Sequence, residues 1–109
     1  MNIGIPKERL CGEERVGLTP AGVGLLTKAG HKCYVEVGAG LGAGFDDYDY
    51  ERMGATMLST GEELYASSSL VLKALHPTLE EIKWMPVGQT LMCFLGLMSL
   101  PQEEVEELK

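Results

Sequence analysis

The sequence predicts an open α/β fold, with a mostly parallel sheet of about five strands and helices on both faces. Short apolar segments alternate along the chain with segments that carry helix-start signals, and short loops join them. Strands that alternate with helices in this way form parallel sheets with right-handed crossovers. At 109 residues the chain is one domain that can bury a core without disulfides or metals.

Three of the five predicted helices begin with a recognisable capping residue. Thr19 before Pro20 is a good N-cap, because its hydroxyl can accept an N–H of the first turn and proline has no N–H to leave unpaired. Thr60 and Thr78 each precede a glutamate by three residues, which is the spacing of a capping box. We therefore expect helices over about 20–29, over 46–53, from Thr60, over 78–85 and from Pro101.

The predicted strands are short apolar segments between turn residues. They cover residues 2–5, 32–37, 55–58, 70–73 and 91–95. The last of them is an uninterrupted apolar run near two glycines, which is typical of a strand buried on both faces. The order of the elements predicts a Rossmann/flavodoxin-like sheet.

Composition and charge exclude several classes of function. A net charge of −7 argues against nucleic acid or an anionic membrane as a partner, because phosphate binding needs clustered Lys and Arg. The glutamates of 103–107 are expected to form a solvated helix face. The chain has no apolar run long enough to insert into a membrane. Cys11, Cys33 and Cys93 lack zinc or disulfide spacing, so we expect a reducing, cytoplasmic compartment.

The glycine-rich loop 38–44 is the most conspicuous candidate for a cofactor site. It fits the G-x-G-x-x-A pattern after a strand, but no helix opens inside the motif to bind a pyrophosphate. Leu58-Ser59 stands where the acidic residue for a ribose is expected. We therefore expect a connecting turn and assign no cofactor-binding residue.

Two cations are candidates for binding a ligand. The planar guanidinium of Arg15 suits a carboxylate or phosphate, although a salt bridge with Glu8, Glu13 or Glu14 would also explain it. Lys73 ends a strand at the edge where ligands bind, but it could equally reach to solvent.

No catalytic or metal-binding set is apparent in the sequence. His31 and His76 have no neighbours at metal-ligand spacing and are expected in loops. We therefore assign no catalytic residue and no metal ligand.

The sequence resembles the N-terminal domain shared by alanine dehydrogenase and the NAD(H)-binding alpha subunit of proton-translocating NAD(P) transhydrogenase. The likeness covers essentially the whole chain. Its clearest part is Gly4-Ile5-Pro6-Lys7-Glu8-Arg9, Gly12-Glu13-Glu14-Arg15-Val16 and Thr19-Pro20, followed by Val35–Gly40, Gly54-Ala55, Leu70–Lys73 and Leu91–Gly96.

The resemblance implies which branch of the family fits better. Alanine dehydrogenases bind their substrate with an arginine, a lysine and a histidine in this domain, and Arg15 matches the arginine. Leu75 and Gly96 stand where the lysine and histidine are expected. Transhydrogenase passes hydride directly between nicotinamides and needs neither residue, so the substitutions favour that branch. By this interpretation Arg15 and Lys73 are structural and not catalytic.

The resemblance also implies cofactors and partners. The complete enzyme would bind NAD(H) through a dinucleotide-binding Rossmann unit that these 109 residues do not contain. It would form a homodimer and dock on NADP-binding and membrane components at the inner membrane face. This chain alone is expected to be inactive and to hold no cofactor.

Two alternatives remain open. One is an alanine dehydrogenase-like subdomain with an altered substrate pocket. The other is a free-standing, non-catalytic dimerisation or regulatory module. Residues 103–109 contain no glycine or proline to end a helix, so we expect a cut helix and a longer natural protein.

Overall fold

The computed structural model describes residues 1–9, 15–75 and 77–93. Five parallel strands form one sheet in the order β3-β2-β1-β4-β5, which confirms the predicted fold class. The elements are β1 (Asn2–Ile5), α1 (Pro20–Lys28), β2 (Lys32–Glu36), α2 (Asp47–Arg52), β3 (Thr56–Leu58), α3 (Gly61–Ser67), β4 (Leu70–Lys73), α4 (Leu79–Trp84) and β5 (Thr90–Cys93).

Local capping bonds fix the starts of the helices. The Thr19 hydroxyl accepts the Gly22 N–H at the start of α1, with Pro20 in the first turn. Thr78 and Glu81 form the full predicted capping box of α4. Thr60 accepts the Glu63 N–H at the start of α3, which is one half of the predicted box. The helix predicted from Pro101 lies outside the described residues.

The pleat of each strand places alternate residues on opposite faces of the sheet, and helices cover both faces. One face packs against α1 and α2, and its buried cluster is Ile3, Ile5, Val23, Cys33, Val35, Ala39, Tyr50 and Leu72. The other packs against α3, and its cluster is Leu64, Tyr65, Val71, Leu91 and Cys93. The sheet is therefore the middle layer of the fold, and the predicted helices on both faces are confirmed.

The expectation that the last strand is buried on both faces is wrong for its described part. Leu91 and Cys93 are buried, but Thr90 is exposed and Met92 is 45% exposed. The reason is the position of β5 at the edge of the sheet, beyond the region that α1 covers. Residues 94 and 95 of the predicted strand lie outside the described residues.

The segment that leads into α1 runs directly against β4, and Gly17 makes this approach possible. A Cβ added at Gly17 would overlap the Leu72 carbonyl oxygen and lie 2.6 Å from its carbon. Both groups are backbone, so the overlap cannot be relieved by a side-chain rotation. Gly17 thereby holds the segment around Arg15 close to the carboxyl end of β4.

We expect Gly17→Ala to lower the free energy of unfolding by about 3 kcal/mol, the upper end of the usual cost of overpacking, because it separates this segment from β4. Gly30→Ala is the control, since Gly30 has φ +96° but nothing within 4 Å of its Cβ position. It should cost only about 1–2 kcal/mol of backbone strain. Urea unfolding measures both variants, and equal losses would contradict the proposed backbone contact.

Candidate functional site

Charged residues gather at the carboxyl edge of the sheet, where open α/β folds bind ligands. Lys7, Glu8 and Arg9 follow β1, Glu36 ends β2 and Lys73 ends β4. Because these strands are parallel, their carboxyl ends meet at the same edge. The edge therefore holds both signs of charge within a small volume.

Lys73 lies at the centre of this edge and is fully buried. Its Nζ is 3.1 Å from Oε1 of Glu8 and 3.1 Å from Oε2 of Glu81. A buried ammonium is tolerated only when carboxylates or other acceptors replace its water. The side chain therefore does not reach solvent, and the alternative that Lys73 extends to solvent is wrong. Its positive charge is paired with the Glu8 and Glu81 carboxylates.

Glu81 is the acceptor that most groups share. The Tyr65 hydroxyl donates to its Oε2 at 2.6 Å, and the Thr78 N–H donates to its Oε1 at 3.1 Å. Burial by itself would raise the pKa of Glu81, but the Lys73 charge and these hydrogen bonds outweigh it and hold the pKa below its ordinary value. Glu81 is therefore an anion in the folded protein at neutral pH.

Tyr65 is a donor that stays neutral. Burial and then the nearby Glu81 charge raise the pKa of its hydroxyl far above the usual range. The Tyr65 ring also packs against Trp84, with 6.1 Å between the ring centroids. Its role at the edge is to bond the Glu81 carboxylate without adding charge.

Arg9 ties the loop after β1 to β2 and α4. Its Nη2 donates to Oε2 of Glu36, and its Nη1 donates to the Lys7 carbonyl at 2.8 Å. The guanidinium carbon lies 5.1 Å from the centroid of the Trp84 ring, which is a cation–π contact. Gly61 leaves room for Arg9, since a Cβ there would be 2.7 Å from Nη2.

Glu8 connects the loop after β1 to the chain that leaves β4. Its Oε2 accepts the Ala74 N–H at 3.0 Å, and its Oε1 accepts the Leu75 N–H at 3.4 Å. Only 3% of its side chain is exposed. We call the interacting set the edge cluster, and its members are Glu8, Arg9, Glu36, Tyr65, Lys73 and Glu81.

The two predicted ligand-binding cations differ in their surroundings. Lys73 is enclosed in the edge cluster, whereas Arg15 is exposed. Arg15 lies two residues before Gly17, where the backbone touches β4, so it stands near the same edge. The structure therefore buries the charge of Lys73 between two carboxylates and places Arg15 at the surface.

The glycine-rich loop 38–44 uses its amides inside the protein. The Gly38 N–H donates to Oδ1 of Asp47 at 2.8 Å, and the Ala39 N–H donates to the Glu36 carbonyl at 3.0 Å. A phosphate cradle needs free amides and no anion beside them, so these residues do not fit a dinucleotide phosphate. Gly40 instead admits the Tyr50 ring, since a Cβ there would lie 2.6 Å from a ring carbon.

Other possible reactive or metal-binding groups are inert where the structure describes them. Cys33 and Cys93 are buried and unpaired, and burial is the main cause that raises the pKa of Cys93 to about 11. Residues 1–9, 15–75 and 77–93 contain no group of three or more His, Cys, Asp or Glu placed to hold a metal ion. Within the same ranges, no helix is both long and apolar enough to cross a bilayer.

The fold and this edge define an open parallel α/β domain whose loops at the carboxyl edge are joined by buried ion pairs. Residues 4–109 match the sequence profile described as "Alanine dehydrogenase/PNT, N-terminal domain". The chain therefore belongs to the alanine dehydrogenase/PNT N-terminal domain family.

Relatives and solved structures agree with this assignment. The chain is 41% identical over 102 residues to alanine dehydrogenase of Methanococcus maripaludis, covering 94% of this chain and 27% of that protein. It is 43% identical over 98 residues to alanine dehydrogenase of Geobacillus stearothermophilus, covering 89% of this chain and 26% of that protein.

Among solved structures, an L-alanine dehydrogenase matches with a TM-score of 0.87 and 39% identity, covering 99% of this chain and 29% of that chain. A transhydrogenase from Sinorhizobium meliloti matches with a TM-score of 0.79 and 30% identity, covering 85% of this chain and 26% of that chain. The chain thus spans about a quarter of the length of the relatives it matches.

Sequence reasoning did not find the edge cluster. It treated Glu81 only as a capping residue and left Glu36 and Tyr65 unassigned. A usable signal was present, because charged residues at the carboxyl ends of three parallel strands must meet at one edge. The pairing of Glu8 with Lys73 had no local signal, since the two residues are far apart in the chain.

We expect the edge cluster to make stability depend on pH through Glu81. Because the folded-state pKa of Glu81 is lowered, its contribution is present above the ordinary carboxyl pKa of 4.5 and is lost as the pH falls through the folded value. Glu81→Gln should lose about 3 kcal/mol at neutral pH and much less near pH 3.

Urea unfolding at several pH values measures this dependence. Glu80→Gln is the matched control, because Glu80 is the exposed neighbour of Glu81 in α4. It should keep the pH profile of the unchanged protein. A Glu81→Gln profile parallel to that of the control would show that Glu81 has no lowered pKa.

Proposed function

We propose that this chain is the N-terminal subdomain of a transhydrogenase alpha-subunit-like oxidoreductase. The complete enzyme transfers hydride between NADH and NADP⁺, and this chain alone is inactive. The observation that carries the proposal is Leu75, which is uncharged and partly buried at the position where the resemblance implies the substrate-binding lysine of an alanine dehydrogenase. Lys73, two residues earlier, cannot take its place, because Glu8 and Glu81 enclose its charge and leave it unavailable to the carboxylate of an amino or keto acid.

The next residues along the chain support the same proposal. Leu75 stands at the partly buried start of the loop after β4 and offers no charge to a substrate. Position 96 is glycine and offers no imidazole for acid–base chemistry. Direct hydride transfer between two nicotinamides needs neither group in this subdomain.

Cofactors and partners follow from this proposal. NAD(H) would bind to the rest of the same subunit, since the glycine-rich loop of this chain does not fit a phosphate. The enzyme would be a homodimer in the cytoplasm, docked on NADP-binding and membrane components. Neither nucleic acid nor direct insertion into the membrane is part of the proposal.

An alanine dehydrogenase-like subdomain with an altered pocket is the second candidate. The relatives described above favour it, because they are alanine dehydrogenases at 41% and 43% identity. In that case Arg15 would contact the substrate carboxylate, and the missing cation and imidazole would have to come from outside this chain. A free-standing regulatory module is the third candidate.

Two assays on the complete protein that carries this chain separate these candidates. We expect reduction of an NAD⁺ analogue by NADPH and no amination of pyruvate with NADH and ammonia. Pyruvate amination would overturn the transhydrogenase proposal in favour of the second candidate. The absence of both reactions would favour the third.

We also expect the 109-residue chain by itself to bind NADH weakly or not at all. A fluorescence titration with NADH measures this, and the complete protein serves as the positive control. Tight binding by the isolated chain would contradict the placement of the NAD(H) site elsewhere in the subunit.

A further inference from the structure

We propose that Glu8 is a positioning residue, which fixes Ala74 and Leu75, directly after β4, as part of one wall of the ligand cleft. Lys73 is its buried counter-ion. This inference rests on the proposed function, because it assumes that the carboxyl edge of the sheet faces a ligand in the complete enzyme. It concerns how the edge is shaped and assigns no chemical step to Glu8.

The geometry at Glu8 supports this role. Its two carboxylate oxygens receive the Ala74 N–H at 3.0 Å, the Leu75 N–H at 3.4 Å and the Lys73 ammonium at 3.1 Å. The Ala74 and Leu75 amides are the first two after β4, where the chain has left the sheet ladder. A side chain from the loop after β1 therefore sets the direction in which the chain leaves β4.

The charge of Glu8 is necessary for this arrangement. All the groups that face its oxygens are donors, so a carboxylate satisfies them and a side-chain amide does not. In Glu8→Gln the new NH₂ group would point a donor at another donor. Lys73 would also lose one of its two counter-ions inside the protein.

Ala74 and Leu75 can influence binding but not chemistry. Ala74 is buried and Leu75 is partly buried, and neither side chain can donate or accept a proton. A displaced loop would therefore change the shape of the cleft wall and leave the hydride-transfer step alone. The kinetic signature of such a change is a raised KM at constant kcat.

The first test measures amide hydrogen exchange by NMR in the 109-residue chain. Glu8→Gln should lower protection of the Ala74 and Leu75 amides by about tenfold relative to the Val71 amide in β4. Val23→Ala is the control, because Val23 is a buried residue of α1 on the opposite face of the sheet, and its truncation destabilises the fold without touching Ala74 or Leu75. Equal loss of protection at Val71, Ala74 and Leu75 would overturn the proposal.

The second test measures steady-state kinetics of the complete protein in the assay that shows activity. Glu8→Gln should raise the KM for the substrate of that assay about tenfold and keep kcat within about twofold. Val23→Ala should change neither quantity. Equal KM values for the two variants would overturn the positioning role. If the unchanged protein shows no activity in either assay, the proposed function fails, and the exchange data still decide whether Glu8 holds the loop.

Discussion

The side chain of Lys73 is fully buried, and carboxylates at the carboxyl edge of the sheet replace the hydration that its ammonium would have in solution. Glu8 reaches Lys73 from the loop after β1, and Glu81 reaches it from α4. Leaving either carboxylate unpaired would cost about 3–5 kcal/mol, a large share of the stability of a small domain. The positions of these elements are therefore tied to one buried charge.

The same constraint connects residues 7–9 after β1 to neighbouring strands and helices. Glu36 bonds Arg9 and also accepts the Lys7 N–H at 2.9 Å, so the loop after β1 is fixed to β2 as well as to β4. Tyr65 brings α3 into the arrangement by bonding the shared Glu81 carboxylate. An edge whose side chains are already paired in this way is a suitable cleft wall, because fewer side chains need to be ordered when a ligand binds against it.

Local signals in the sequence were enough to predict most of the fold. Thr19 with Pro20, and Thr78 with Glu81, determine helix starts through bonds within one turn, so those boundaries were predicted within a residue or two. The burial of β5 was predicted wrongly because it depends on which elements lie beside the strand. An apolar run has the same sequence whether it lies at the centre or at the edge of a sheet.

The candidate site was less predictable for a related reason. That Lys73 ends a strand is a local property, and the sequence showed it. That its partners are Glu8 and Glu81 depends on strand order and on the direction of α4, which no short motif encodes. The glycine-rich loop 38–44 has a motif that is visible in the local sequence. Its amide and its close approach are instead taken up by Asp47 and Tyr50, which lie outside the motif.

The coupling free energy between Lys73 and Glu81 is the most direct measure of the buried ion pair on which this account depends. It is obtained from urea unfolding of Lys73→Met, Glu81→Gln and the double variant. We predict a coupling of about 2 kcal/mol or more, with the double variant more stable than the sum of the single losses implies. A coupling near zero would contradict the account and would mean that Lys73 is solvated and available to a ligand.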